Sequence, residues 1–153
     1  MSVIQSNYAK GIIALAYPSI AGAATAVRFA HQLSAAPSAG DILELAMIPA
    51  GTRVVEMILD SDDLDTNGTP TLTMDVGLMS GSFGDEDQAR TCGAEFFSGS
   101  SVAQAGGSER PSLKTAFRTG KSNVDRSIGI KFPNAAATFA AGTIGLTVIV
   151  STE

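Results

Sequence analysis

Asp63-Leu64-Asp65-Thr66-Asn67-Gly68 is the stretch of this 153-residue chain whose spacing comes nearest to a known chemistry. Alternate oxygen-bearing side chains ahead of a Gly at a sharp turn form the first half of a calcium loop. The second half fails. Met74 stands where the bidentate Glu belongs, and Pro70 interrupts the loop. An EF-hand is excluded. What remains is either a looser oxygen-rich turn of Asp60, Asp62, Asp63 and Asp65, or a solvated connection whose Asp and Asn side chains bond their own backbone.

Cys92 and His31 are each the sole residue of their kind. One Cys cannot form an internal disulfide, and a zinc site would have to lean on carboxylates. Cys92 reads as a small residue near a loop, and His31 as a ring on a strand. Nothing marks out two of the fifteen Asp and Glu as a hydrolytic pair. The absence of Trp and the presence of only two Tyr leave a sugar-binding platform without its aromatic rings. Neither a Gly-x-Ser-x-Gly elbow nor a phosphate loop occurs. The sequence therefore assigns no catalytic residue, no cofactor and no metal, and the expectation is a non-enzymatic protein.

The totals point the same way. A chain of this length fits one domain and buries roughly 68–70% of its unfolded surface without disulfide staples. Charged residues make up 16% and apolar ones 44%. So few charges suit a surface that packs on other protein chains. The net charge of −5 disfavours nucleic acid and anionic membranes. The basic residues are scattered, and even their densest stretch, 110–126, spaces them several positions apart. Residues 11–24 are apolar after Lys10, but they contain Pro18 and are too short to span a membrane. They do not match a signal peptide.

Residues 1–23 show neither strand alternation nor a helical period. They read as an N-terminal arm that packs on a neighbour, as a segment lying against its own domain, or as a short terminal helix, with 24–153 the β domain. From residue 25 the pattern has period two. Val27, Phe29, His31 and Leu33 alternate over 25–33, and 41–47 forms a second strand before Pro49-Ala50-Gly51. A third, 52–60, places Val55, Met57 and Leu59 on one face, with Val54 and Ile58 making the other face apolar too. Over 71–78, Leu72, Met74, Val76 and Leu78 point inward. Residues 79–111 are a long irregular region and a second candidate contact surface, with a short strand and helical turn available over 95–104. Strands at 112–118, 126–132 and 143–151 complete an all-β, jelly-roll-like β-sandwich of about eight antiparallel strands with an extended N-terminal arm.

Three runs carry a resemblance: Ile48-Pro49-Ala50-Gly51-Thr52-Arg53-Val54, Asp63-Leu64-Asp65, and Leu72-Thr73-Met74-Asp75-Val76-Gly77-Leu78. Together with Ile128-Gly129-Ile130 and the ending through Ala141-Gly142-Thr143-Ile144 to Val150, they resemble the capsid decoration (cement) proteins of tailed bacteriophages. The similarity covers about residues 24–151. It implies a virion structural protein made in the bacterial host cytoplasm and seated on the outer surface of the head, a homotrimer, or sometimes another small oligomer, bridging major capsid protein subunits. Tyr8, Ile12, Ile13, Leu15 and Tyr17 are the expected capsid- or subunit-contact residues. Two other readings stay open, another phage structural role such as a tail or head-fibre base, and a calcium- or glycan-binding β-sandwich module.

Overall fold

A computed structural model describes residues 1–14 and 22–152. Among them nine strands appear: β1 (Val3–Gln5), β2 (Ala24–Leu33), β3 (Ile42–Ile48), β4 (Thr52–Ser61), β5 (Thr73–Leu78), β6 (Phe97–Ser100), β7 (Gly107–Glu109), β8 (Arg126–Asn134) and β9 (Gly142–Thr152). One turn of 3-10 helix, Val102–Gln104, precedes β7. The strands form two sheets, ordered β2-β9-β4-β7 and β1-β3-β8-β5-β6. From β2 to β9 these orders are the double Greek key of a jelly roll. The fold expected from the sequence is the fold observed, with β1 added parallel to β3 along one edge.

Period-two alternation explains most of the core. Ile144, Leu146, Val148 and Val150 of β9 are buried against Phe29, Leu33, Met57 and Leu59 of the flanking strands and against the facing sheet. Leu72, Met74 and Val76 point inward as read, while Leu78 is partly buried.

Three expectations need correction. A β-bulge between Val54 and Glu56 inserts one residue into β4, so Val54 joins Met57 and Leu59 inside and Val55 turns out, 42% exposed. The strand covered on both faces is β3, all seven of whose residues are buried. Residues 112–118 are not a strand. Ala116 N–H donates to the Leu113 carbonyl (3.1 Å) and Arg118 N–H to that of Thr115 (3.2 Å), so tight turns bury Ala116 and expose Phe117. The spacing of Leu113 and Phe117 satisfies period two and one helical turn alike.

Within 79–111, β6 and the 3-10 turn occupy the stretch where a strand and a helical turn were expected. β7 carries no apolar residue and gave no sequence signal.

Candidate functional site: contact surfaces and their anchors

The acidic turn folds around Asp65 as a fastening. Its Oδ2 accepts the backbone N–H groups of Thr71 (2.7 Å), Leu72 (3.1 Å) and Ala137 (3.0 Å), and Oδ1 accepts that of Thr138 (2.8 Å). Burial alone raises the Asp65 carboxyl, but these four donors overcome it and hold the group well below the usual carboxylate range. The other three carboxylates turn elsewhere. Asp60 pairs with Arg28 at 2.5 Å, Asp62 accepts the Thr143 N–H at 2.7 Å, and Asp63 accepts the Asp65 N–H at 3.1 Å. Among the described residues no group of three or more His, Cys, Asp or Glu is placed to hold a metal ion. The turn is thus self-bonded, tying the β4–β5 connection to the β8–β9 connection.

Burial pushes the Cys92 thiol up to about 12, with Glu95 and Asp75 adding to the rise against a hydrogen bond to Gly77. It is packed near Gly129, where an added Cβ would lie 3.0 Å from its Sγ. His31 is held below its ordinary value by partial burial and by the nearby Lys10 charge. The structure brings neither residue to the other.

Residues 79–95 are the part of the long irregular region that folds back over the outer face of β3, β8 and β5. One ion pair fixes them there. Arg90 is 2% exposed and Glu44 fully buried, and they meet at 2.7 Å. Arg90 also donates to the Ser80 carbonyl (2.7 Å), the Asp85 carbonyl (2.8 Å) and Ser127 Oγ (2.8 Å). Glu44 further accepts Ser127 Oγ–H (2.6 Å), Gly84 N–H (3.2 Å) and Gln5 Nε2–H (3.2 Å). Glycines leave room for this roof. In register beside Glu44 stand Gly129 and then Gly77. A Cβ on Gly129 would meet Met79 at 2.8 Å, and one on Gly77 would overlap the Gly93 backbone. Sequence reading missed this hub, although a Glu inside the apolar run Ile42–Ile48 was its signal.

The N-terminal residues divide. Val3–Gln5 pair with Ile42–Glu44, Ser6 Oγ–H donates to the Leu45 carbonyl (2.9 Å), and Ala9 is buried. Tyr8 lies edge-on to Phe29 at 4.7 Å between ring centroids and donates its hydroxyl to the Arg28 carbonyl (3.1 Å). Residues 3–9 therefore lie against their own domain. Ile12 and Ile13 are 69% and 41% exposed. Leu15 and Tyr17 lie outside the described residues. β1 ends at Gln5 and β2 begins at Ala24, so the chain between them is joined at both ends to strands of the sandwich. Phe117 and Val124, 50% and 66% exposed, put further apolar surface on the connection between β7 and β8.

No family model matches the chain, and no curated protein does. Solved structures do. A chain from the capsid of Ralstonia phage GP4 superposes with a TM-score of 0.96 and 48% identity, covering 99% of each chain. A chain from the cyanophage Pam1 capsid asymmetric unit gives 0.66 and 26%, over 94% of this chain and 96% of that one. One from the acidic stable capsid structure of Helicobacter pylori bacteriophage KHP30 gives 0.57 and 14%, over 86% and 90%, which is a likeness of fold. With one outer loop fastened by a buried ion pair and a self-bonded turn joining two others, and with a match to a capsid chain nearly end to end, this jelly-roll chain belongs to a family of bacteriophage capsid proteins.

Proposed function

We propose that this chain is a decoration protein, seated on the outer surface of a phage head as a homotrimer that bridges major capsid protein subunits and stabilises the shell. The observation that carries the reading is the near-complete superposition on the Ralstonia phage GP4 capsid chain. The surface chemistry supports it. Low charge and isolated exposed apolar side chains suit many weak contacts, which a symmetric shell multiplies into avidity. The role is structural and asks for no catalytic residue. Ile12 and Ile13, exposed in the segment that joins β1 to β2, are the proposed head contacts, with Leu15 and Tyr17 following in the sequence. Tyr8 serves instead to hold the start of that segment against Phe29.

The test is sedimentation of purified protein with cognate expanded heads. Pelleting at a saturating, lattice-like ratio is the expected result, and a failure to pellet refutes the decoration role. The contact assignment is tested by Ile12→Ser/Ile13→Ser. Deleting residues 1–20 would be the wrong experiment, because it removes β1 and the Gln5 partner of Glu44. Unchanged pelleting of the double Ser variant would discard the loop as a head contact.

A further inference from the structure

Charge is segregated along this chain in a way the fold turns into geometry. Residues 110–126 hold five Lys or Arg against one Asp, net +4, while the rest holds five cations and fourteen anions, net −9. The basic stretch borders one lateral edge of the sandwich. Arg110 follows β7, and Thr115 Oγ–H donates to the Glu95 carbonyl (2.7 Å) just ahead of β6. β6 and β7 are the edge strands of their sheets. Lys114 and Arg118 are exposed, make no ion pair with any described residue, and flank Phe117, 50% exposed.

The opposite edge carries the complement. Asp85, Glu86 and Asp87 are exposed and likewise without an ion pair among the described residues. Two tight side-chain turns display them, with Asp85 accepting the Asp87 N–H (3.0 Å) and Asp87 that of Ala89 (2.9 Å). Gln88 fixes this tip beside β1 by accepting the Val3 N–H at 2.8 Å. Phe83 is half-buried next to it.

We infer that these two loops are the halves of one contact between copies of this chain, Lys114 and Arg118 around Phe117 receiving the Asp85–Asp87 tip beside Phe83. This rests on the proposed homo-oligomer and says which surfaces build it. Because the halves occupy opposite edges, the contact is head-to-tail and generates a ring where the rotation closes. Charge complementarity fixes register and partner, and the aromatic side chains supply area that is removed from water.

The experiment is sedimentation velocity of the purified full chain without heads, at about 0.05 M and 1 M salt, where exposed pairs are weakly and strongly screened. Wild type should form a closed oligomer that loosens in high salt. Lys114→Glu/Arg118→Glu and, separately, Asp85→Lys/Asp87→Lys should each raise the dissociation constant on the order of a hundredfold, since opposed like charges cost several kcal/mol. The variant with all four changes should reassemble with itself. Circular dichroism and melting confirm that each variant folds. An oligomer indifferent to both reversals overturns this contact and leaves the homo-oligomer standing. A chain monomeric at every concentration and salt overturns both. Loss of head pelleting by the Lys114/Arg118 reversal, with the oligomer intact, assigns the basic loop to an acidic head surface and also overturns the contact.

Discussion

Arg90→Met is the sharpest test of how the roof over the five-stranded sheet is held. The substitution keeps much of the side-chain volume and removes four hydrogen bonds, those to Glu44, Ser127 and the carbonyls of Ser80 and Asp85. Glu44 keeps Ser127, Gly84 and Gln5 as donors but loses its only counter-ion among the described residues. Breaking a buried pair from one side costs about 3–5 kcal/mol, because a charge is left uncompensated away from water. For a domain of this size that lowers Tm by about 6–20 °C. Glu44→Gln alone strands the guanidinium and should cost a comparable amount. Glu44→Gln/Arg90→Met removes both charges, so its loss should fall well short of the two single losses added together. Urea melts followed by circular dichroism give the three values. Hydrogen exchange should also show Thr91 and Gly93 losing protection in Arg90→Met, since their N–H groups donate to Ser80 and Leu78 across the roof. Additive losses in the double variant would refute the reasoning, because they would mean that the two charges do not depend on each other.

Three further outcomes are expected. Asp65→Asn should flatten the acid limb of stability: a carboxyl held low in the fold stabilises above its unfolded value near 3.8, and that contribution is lost as pH falls through the folded value. Unfolding of the Asn variant below pH 4 should take up about one proton fewer, and an unchanged pH profile would reject the fastening. Met57→Ala should cost about 2–5 kcal/mol while Val55→Lys stays within about 0.5 kcal/mol, a contrast in chemical melts that follows from the bulge in β4. Cys92, with its thiol pushed up to about 12, should resist alkylation at pH 8 in the native protein and react once urea unfolds it; rapid native labelling would show that the roof opens freely.

What the sequence made legible was whatever depended on local alternation. β5 and β9 were readable because one face of each is buried and the other is not, so the period survives intact. β4 kept its existence but lost its facing, because one bulged residue inverts every side chain on one side of it. β1 was hidden by its length of three residues and by a parallel pairing that leaves no local mark. The hub was hidden by distance, Glu44 and Arg90 being 46 positions apart. The Asp65 turn was legible as two alternatives, an oxygen ligand set or a turn bonded to its own backbone. The fold takes the second and extends it to the Ala137 and Thr138 N–H groups, which no local pattern could announce. Of the expected contact residues, Ile12 and Ile13 stand exposed, whereas Tyr8 packs on Phe29, a partner supplied by a distant strand and so invisible to a local reading.

The connection between β1 and β2 has a mechanical consequence. Its first anchor belongs to the five-stranded sheet and its second to the four-stranded sheet, so a pull at Ile12 and Ile13 is shared between the two layers. A tail joined at one end would load a single strand, breaking its bonds in turn. Here the load divides between the three paired positions of β1 and the ten of β2, so two pairings in two layers must give before the segment comes away from the sandwich.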